Sequence, residues 1–390
     1  MLNLRKLSIN KFAFLYFLYF GFFAWFCITG PLNPIANYDM LPYVGSVLSY
    51  TDHKTELRKN SLVEVKKYVS AEQYNNFIVG SDYVETVAKD DKAFIEQLPG
   101  YRVKPLYILL TGILGKLVGN IALASVVISS AGFFVIGLAL YLLRPKGLIE
   151  IFWLLLIPLT LYFGQPSWTL LTKASSPDSL AAGLVLMSFW AFLRKPQSWY
   201  PIILMSLAIL ARPDSVVTII CLSPILIKMY RDGILKTRWI IGLAAGPIAT
   251  YLFIKLLFPS FGIRELIVFA WMGPYPYLSS VDTSLFADIY PSMLYYDIAS
   301  LTRLPRFVLF FAINIAAIYF CKDLYAKIIL IAALANIVIK IFLFPNFDGG
   351  FGERFFFTSY FLILFSIVNR IQFQKPILLG KVCRTHTVTG

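Results

Sequence analysis

The stretch KFAFLYFLYFGFFAWFCITG, residues 11–30, decides the class of this fold. Its only charged residue is Lys11, at the first position. About 20 mostly apolar residues are needed for a helix to cross the ~30 Å hydrocarbon core of a bilayer. Arg5 and Lys6 precede the stretch, as in a signal peptide, but residues 27–31 offer neither a small-x-small cleavage site nor a lipobox. The sequence therefore predicts an uncleaved membrane anchor.

The composition of the whole chain agrees with a membrane location. Hydrophobic residues make up 58% of the 390 residues and charged residues only 14%, and the mean hydropathy is +0.71. Soluble proteins carry roughly 25% charged residues. No polar linker or low-complexity stretch divides the chain. We therefore predict one all-α integral membrane domain over residues 1–390.

Further apolar runs follow, and the loops that join them set the topology. The runs are residues 121–143, 148–165, 177–194, 198–211, 213–230, 237–258, 304–321, 325–344 and 355–370. Basic residues cluster at both chain ends and in alternate loops, at Arg144 and Lys146, Arg194 and Lys195, residues 228–238, and Lys322 and Lys327. The positive-inside rule places these loops in the cytoplasm. We predict about ten crossings with both termini cytoplasmic, so the net charge of +14 reflects topology and does not indicate a nucleic-acid partner.

The same parity places residues 30–120, 259–302 and 345–354 on the external side. Within the first segment, residues 51–98 are polar and charged, which favours a solvated helical insertion. Residues 105–119 are apolar but short for a crossing and contain Lys116, so they indicate a helix lying at the outer interface. The second external segment is rich in aromatic and acidic residues, which suit both carbohydrate binding and an interfacial aromatic belt.

Cysteine and histidine indicate no site of their own. Three of the four cysteines lie in apolar runs and the fourth, Cys383, lies in the C-terminal tail, so no disulfide is expected. The only histidines are His53 and His386. This argues against a histidine metal site and against a serine–histidine catalytic pair.

An acid with two tyrosines directly follows the first apolar run. If residues 38–50 form a helix, one face carries positions i, i+4, i+7 and i+11, namely Asp39, Tyr43, Ser46 and Tyr50. A carboxylate beside two phenols at the membrane surface suits a general base next to a sugar-binding surface. The alternative is a solvated loop acid with two tyrosines of the interfacial aromatic belt.

The stretch ARPDS, residues 211–215, separates two apolar runs whose outer ends are both cytoplasmic, so it is predicted to form the apex of a hairpin. At a rise of 1.5 Å per residue, the arm over residues 198–211 reaches only about 21 Å, so the apex is recessed below the outer surface. Charged residues at that depth usually face a protein cavity. The Arg212 guanidinium suits a phosphate. The alternative is an Arg212–Asp214 pair that satisfies itself.

Two other segments carry charge at the predicted outer boundary. The glycine-rich stretch FDGGFGER, residues 347–354, opens the last apolar run and places Arg354 level with a lipid phosphate. A flexible loop with a snorkelling arginine has the same pattern. In the stretch SSPDS, residues 175–179, Asp178 opens another run and is predicted to cap the N terminus of its helix.

In their order, these segments resemble the GT-C superfamily of polytopic glycosyltransferases, which take sugars from polyprenyl-phosphate carriers. The resemblance lies in an acidic external loop with Asp39, YRVKPLY at 101–107, SPDSL at 176–180, Arg-Pro-Asp at 212–214 and Glu-Arg-Phe at 353–355. The spacing of Asp39, Tyr43 and Tyr50 is similar to a pattern in lipid-linked mannosyltransferases. Two departures stand out. Asp39 is a lone acid where the family usually has an acidic pair, and the large C-terminal soluble domain of some members is missing, which favours a small acceptor.

The resemblance implies an inverting glycosyltransferase that moves a sugar from a polyprenyl-phosphate carrier to a hydroxyl of a glycan or lipid acceptor, as in polysaccharide biosynthesis for a cell envelope. It implies Asp39 as the catalytic base and Arg212 and Arg354 as ligands of the donor phosphate. The substrate-binding residues that it implies are Tyr43, Tyr50, Arg102, Asp178 and Glu353. It leaves open a divalent cation, Mg²⁺ or Mn²⁺, as a cofactor.

The implied location is a bacterial inner membrane, with the site facing the periplasm or outside. Two other function classes share parts of this pattern. A polysaccharide polymerase or ligase acting on a lipid-linked glycan also has large external loops and arginines. A lipid-linked sugar flippase or transporter would favour internal repeats and charges near the bilayer midplane, whereas the sequence shows no repeat and its polar positions cluster on the external side.

Overall fold

The computed structural model describes residues 2–50, 56–79, 82–145, 147–163, 170–262, 264–265, 268, 277–343 and 352–370. Within these residues the fold is helical and contains no β-strand, which confirms the all-α prediction. Short 3₁₀ segments cover Leu278–Ser280, Thr283–Leu285 and Gly352–Phe356. The α-helices, numbered in chain order, are α1 Leu2–Leu32, α2 Met40–Leu48, α3 Leu57–Lys66, α4 Ala71–Ile78, α5 Asp82–Lys89, α6 Asp91–Arg102, α7 Pro105–Val118, α8 Ile121–Leu142, α9 Leu148–Phe163, α10 Leu170–Lys173, α11 Asp178–Arg194, α12 Trp199–Ala211, α13 Ser215–Arg231, α14 Thr237–Leu257, α15 Phe286–Thr302, α16 Pro305–Phe320, α17 Leu324–Leu343 and α18 Phe357–Arg370.

Every apolar run predicted from the sequence overlaps one of these helices over most of its length. By length and hydropathy, four helical stretches among the described residues could cross a membrane, namely Ala13–Leu32, Ile121–Leu142, Thr237–Leu257 and Leu324–Leu343. The total becomes five if α15 and α16, which are bent by 87° relative to each other, count as one broken span. Large apolar side chains are exposed along several helices, as at Phe17, Leu256 and Tyr319. A soluble protein rarely exposes so much apolar surface, so the chain has the long apolar helices of a membrane protein.

The hydropathy pattern does not predict α15, which lies within residues 259–302, the second segment predicted to be external. This helix buries one residue in every four, namely Ile289, Met293, Asp297 and Leu301. Pro291 and the exposed polar residues between the buried positions lower its mean hydropathy. A search for runs of about 20 apolar residues therefore misses it.

The segment over residues 30–120, which is predicted to be external, folds around α2. All residues of α2 are buried, and the helix packs against α3, α6, α7 and α8. Helices α3 to α6 confirm the predicted polar helical insertion, and α7 confirms a helix over the apolar stretch 105–119. The Glu64 carboxylate accepts from the Ile121 N–H at 3.1 Å, and the Asn120 side chain caps α8. These contacts fasten α3 to the start of α8.

Helices α8 and α11 approach each other closely through small residues. A Cβ added at Gly132 would lie 2.3 Å from the Leu180 nitrogen, so only glycine permits this approach. The Ser129 hydroxyl donates to the Ser176 carbonyl at 2.8 Å, and the Ser179 hydroxyl donates to the Ser129 carbonyl at 2.5 Å. The small residues of α8 thereby fix the backbone on both sides of Asp178.

Candidate active site

Asp39 lies at the start of α2, between two neighbouring segments. The Asn37 amide donates to the Ser175 carbonyl at 3.1 Å, and the Ser175 N–H donates back to Asn37 Oδ1 at 3.1 Å. The Tyr101 hydroxyl, near the end of α6, donates to Asp39 Oδ1 at 2.9 Å. The Asp39 carboxylate is therefore oriented by α6 and held next to the segment that leads into α11.

Arg212 follows α12 with extended backbone angles, φ −158° and ψ 109°, and the chain turns there into α13. Its guanidinium forms two ion pairs, one from Nη1 to Asp178 Oδ1 and one from Nε to Asp214 Oδ1 at 2.5 Å. The self-satisfying Arg212–Asp214 pair is thus present, but it is only part of the arrangement. Asp178 is the first residue of α11, the N-cap is Pro177, and the Ser176 hydroxyl accepts from the Asp178 N–H at 3.3 Å. The predicted N-cap role of Asp178 is wrong because charged donors of arginine engage its carboxylate instead.

Arg354 lies in the 3₁₀ turn Gly352–Phe356 that leads into α18. Its Nε is 3.0 Å from Asp178 Oδ2, and its Nη2 is 3.8 Å from Asp39 Oδ2. Asp178 therefore lies between both arginines that were predicted to bind phosphate. The Phe355 ring packs against both guanidinium groups, with its centroid 4.3 Å from Arg212 Cζ and 5.3 Å from Arg354 Cζ.

These groups form a row of alternating charge, called here the charge ladder, which consists of Asp39, Arg354, Asp178, Arg212, Asp214 and Lys340. Its last member is Lys340 of α17, whose Nζ is 3.4 Å from Asp214 Oδ2. The exposed fraction of the side chain is 30% for Asp39, 10% for Asp214 and 4% for Asp178. Asp39 is therefore the carboxylate of the ladder that a small molecule reaches.

Lys104 adds another cation beside the ladder, between two aromatic rings. Its Nζ donates to the Tyr43 hydroxyl at 2.9 Å and lies 5.0 Å from the Tyr43 centroid and 4.8 Å from the Tyr101 centroid. Lys104 forms no salt bridge with any carboxylate whose side chain the structure describes. Burial, opposed by the charge of Asp39, lowers the pKa of Lys104 to about 8. Below that pH the site carries one positive charge that the ladder does not balance.

Three tyrosines form the wall behind Asp39 and Lys104. The Tyr43 ring packs edge-on against the rings of Tyr101 and Tyr107, with both centroids 4.9 Å away. Burial, and after it the charge of Asp39, raises the pKa of both Tyr43 and Tyr101. Both phenols therefore stay neutral and act as hydrogen-bonding groups rather than as bases.

The structure brings together most of the predicted site residues, namely Asp39, Tyr43, Asp178, Arg212 and Arg354. Tyr50 lies apart from them, because α2 ends at Leu48 and the helical face shared by residues 39–46 does not continue. Its ring is 58% exposed and faces Arg102, 5.9 Å from the guanidinium, so these two predicted substrate-binding residues lie together outside the ladder. The predicted Glu353 side chain is outside the described part of the chain.

Sequence reasoning missed Tyr101, Lys104, Phe355 and Lys340 as members of this cluster. Tyr101 and Lys104 stand in the YRVKPLY stretch, in which Arg102 was predicted as the substrate-binding residue. Lys340 stands inside the apolar run 325–344, and a lysine at that depth is itself a signal, because charge inside a membrane segment usually has a partner or a function. Phe355 stands in the Glu-Arg-Phe stretch, in which Arg354 and Glu353 are the predicted site residues.

The ladder does not suit a divalent cation. Each of its carboxylates already faces a guanidinium or an ammonium group. Among the described residues, no group of three or more His, Cys, Asp or Glu side chains is placed to hold a metal ion. Mg²⁺ and Mn²⁺ prefer several oxygen ligands. The ladder does not offer them, so we assign no metal ion a role at this site.

Comparison of this chain with protein families, with curated proteins and with solved structures finds no match.

Proposed function

We propose that this chain is a membrane glycosyltransferase of the GT-C type, which moves a sugar from a polyprenyl-phosphate carrier to a hydroxyl of a glycan or lipid acceptor. The observation that carries the proposal is the exposed end of the charge ladder, where Asp39 adjoins Arg354. A carboxylate that accepts a proton and a cation that holds a phosphate are the two groups this transfer needs. The long apolar helices beside them suit a donor carried by a lipid.

The reaction is a single displacement at the sugar. Asp39 accepts the acceptor's proton through Oδ2, because Oδ1 already holds the Tyr101 hydroxyl. The acceptor oxygen forms a bond to the anomeric carbon, the bond from that carbon to the phosphate oxygen breaks, and the polyprenyl phosphate leaves with the electron pair. The configuration inverts. Asp178 and Asp214 suit the role of base less well, since both are nearly buried and held by Arg212.

The carrier phosphate enters the ladder at Arg354. The Arg354–Asp39 contact of 3.8 Å is the longest in the ladder and includes its most exposed side chain. The phosphate therefore replaces Asp39 as the partner of Arg354 more readily than it replaces any other carboxylate of the ladder. The unbalanced charge of Lys104 adds attraction at the same place. Arg212 stays paired with Asp178 and Asp214 and stabilises the leaving phosphate by its charge. The exchange also frees Asp39 Oδ2 for the acceptor.

The proposal includes ten crossings in a bacterial inner membrane, with both termini cytoplasmic and residues 30–120 outside. Single cysteines placed at Lys59 in α3 and at Lys195 after α11 test this, because both positions are exposed in the fold. In a variant that lacks the native cysteines, an impermeant maleimide added outside should label position 59 and not position 195. The reverse result would put Asp39 in the cytoplasm and contradict the proposal.

The titration of Lys104 predicts a pH dependence of donor binding. Since the pKa of Lys104 is lowered to about 8, its positive charge is complete below that pH and is lost as the pH rises through it. KM for the donor should therefore rise between about pH 7 and 9, because a charge-assisted hydrogen bond to the phosphate disappears. Lys104→Arg should remove the rise and Lys104→Met should give a high KM throughout. A wild-type KM that stays constant over this range would contradict the assignment of Lys104.

The function itself is tested by a transfer assay with purified protein and a panel of polyprenyl-phosphate sugars. We expect one donor to yield a glycosylated product and free polyprenyl phosphate in equal amounts. Growth of a lipid-linked glycan by repeated units would favour a polymerase instead. Movement of labelled donor across a vesicle membrane without any product would favour a flippase.

A further inference from the structure

Four polar contacts, two at each of two successive levels, join α13, α17 and α18. At the first level, Lys340 Nζ of α17 contacts Asp214 Oδ2 at 3.4 Å, just before α13, and donates to the Phe355 carbonyl at 3.1 Å, just before α18. At the second level, the Asn336 amide accepts from the Thr218 hydroxyl of α13 at 3.0 Å and donates to the Ser359 hydroxyl of α18 at 2.7 Å. On all three segments the two levels are four residues apart, which is about one helical turn.

This arrangement, called here the polar seam, lies in an otherwise apolar interface. The side chains of Asn336, Thr218 and Ser359 are almost fully buried, and that of Lys340 is 8% exposed. Burying an ammonium and an amide in such surroundings is unfavourable unless both are bonded. The two levels therefore fix the register of the three helices, because sliding one helix past another would leave these groups without partners.

Lys340 connects the seam to both arginines of the ladder. Through Asp214 it reaches Arg212, whose Nε is 2.5 Å from the same carboxylate. Through the Phe355 carbonyl it holds the 3₁₀ turn that carries Arg354, and the Phe355 ring lies against both guanidinium groups. Arg354 has no other ion-pair partner among the described residues besides Asp178 and Asp39.

We infer that Lys340 is a positioning residue, which sets the distance between Arg212 and Arg354 and so prepares the place where the donor phosphate binds. The expected effect of Lys340 on donor kinetics rests on the proposed function, whereas its expected effect on the 3₁₀ turn Gly352–Phe356 does not. Lys340→Met keeps most of the side-chain volume. It leaves Asp214 paired with Arg212, so the protein should still insert and fold, with a lower unfolding temperature.

The test combines backbone hydrogen exchange with donor kinetics. In Lys340→Met we expect faster amide exchange in the peptide that spans residues 352–356, together with a loss of kcat/KM on the order of 10–10²-fold, mainly through KM. Lys340→Arg should recover both in part, because its guanidinium can reach the same carboxylate and carbonyl. Lys255→Met is the matched control, since this exposed lysine of α14 contacts none of these groups, and it should leave both measurements unchanged.

A second variant separates positioning from general loosening of the helices. Asn336→Leu keeps the Lys340 contacts, and the freed Thr218 and Ser359 hydroxyls can bond carbonyls of their own helices. It should therefore speed exchange at residues 352–356 less than Lys340→Met does. Exchange in Lys340→Met that equals wild type would overturn the inference, as would a larger effect of Asn336→Leu. If neither the wild type nor any variant transfers sugar, the proposed function fails. The amide exchange at residues 352–356 still decides whether Lys340 positions the 3₁₀ turn.

Discussion

Asp39→Asn is expected to reduce single-turnover transfer by about 10²–10⁴-fold, which corresponds to about 3–5 kcal/mol of barrier. The amide has the size of the carboxylate and can still accept from the Tyr101 hydroxyl, so α2 and the tyrosine wall should keep their packing. An amide oxygen cannot take the acceptor's proton at neutral pH. Donor binding should change little, because the phosphate is held by the cations.

The controls for this experiment come from the same chain. Asp82→Asn alters an exposed acid in the same external segment and should keep the wild-type rate. Asp178→Asn should instead weaken donor binding, because the carboxylate that holds Arg212 and Arg354 in position is lost. A near-normal single-turnover rate for Asp39→Asn would remove this residue as the base. Asp178 is the next candidate if its own variant then proved inactive with donor binding intact.

Arg354→Ala is expected to lower kcat/KM for the donor by about 10²–10³-fold, as loss of one preorganised donor to a developing anion typically does. Folding should be nearly unaffected, since Asp178 keeps Arg212 as its partner and Asp39 is partly solvated. Arg354→Lys should recover only part of the activity, because a point charge lacks the planar fork of the guanidinium. The assay is the transfer reaction at several donor concentrations, with thermal unfolding in detergent measured alongside.

The corresponding change at Arg212 should behave differently. Arg212→Ala removes a cation from two buried carboxylates at once, Asp178 and Asp214, whereas Arg354→Ala removes one from a single buried carboxylate, so the loss of Arg212 should destabilise the fold as well as the site. We therefore expect reduced donor use with a lower unfolding temperature. Arg303→Ala, at an exposed arginine after α15, is the matched control for charge alone and should behave as wild type. Full transfer by both Arg212→Ala and Arg354→Ala, with normal expression, would end the phosphate-binding assignment.

Hydropathy alone predicts most helices of this chain, because a helix in lipid needs a long apolar run whatever its neighbours are. It fails at α15, where only every fourth residue is buried and Pro291 interrupts the pattern. Hydropathy also does not show where α2 ends. The sequence therefore predicts Tyr50 on a helical face, although the helix ends at Leu48. Such boundaries depend on local contacts rather than on composition.

The sequence predicts the charged residues of the candidate site but not the ion pairs that join them. Asp39, Asp178, Arg212 and Arg354 each stand out as charges next to apolar runs. That Asp178 lies between both arginines depends on the close contact of α8 with α11 and on the path of the 3₁₀ turn, neither of which has a sequence signature. Lys340 lies within an apolar run, and the sequence does not indicate its partner, because Asp214 lies more than a hundred residues earlier.

The order of the ladder along the chain has a consequence for biogenesis. Asp39, Asp178, Arg212 and Asp214 are synthesised well before Lys340 and Arg354, so a nascent chain that ends before α17 carries three acids of the ladder and one of its bases. The incomplete ladder therefore has an excess negative charge, which only Lys340 and Arg354 neutralise. The ladder is complete only after Arg354 has been synthesised, so the site cannot exist on a chain that ends before the 3₁₀ turn Gly352–Phe356.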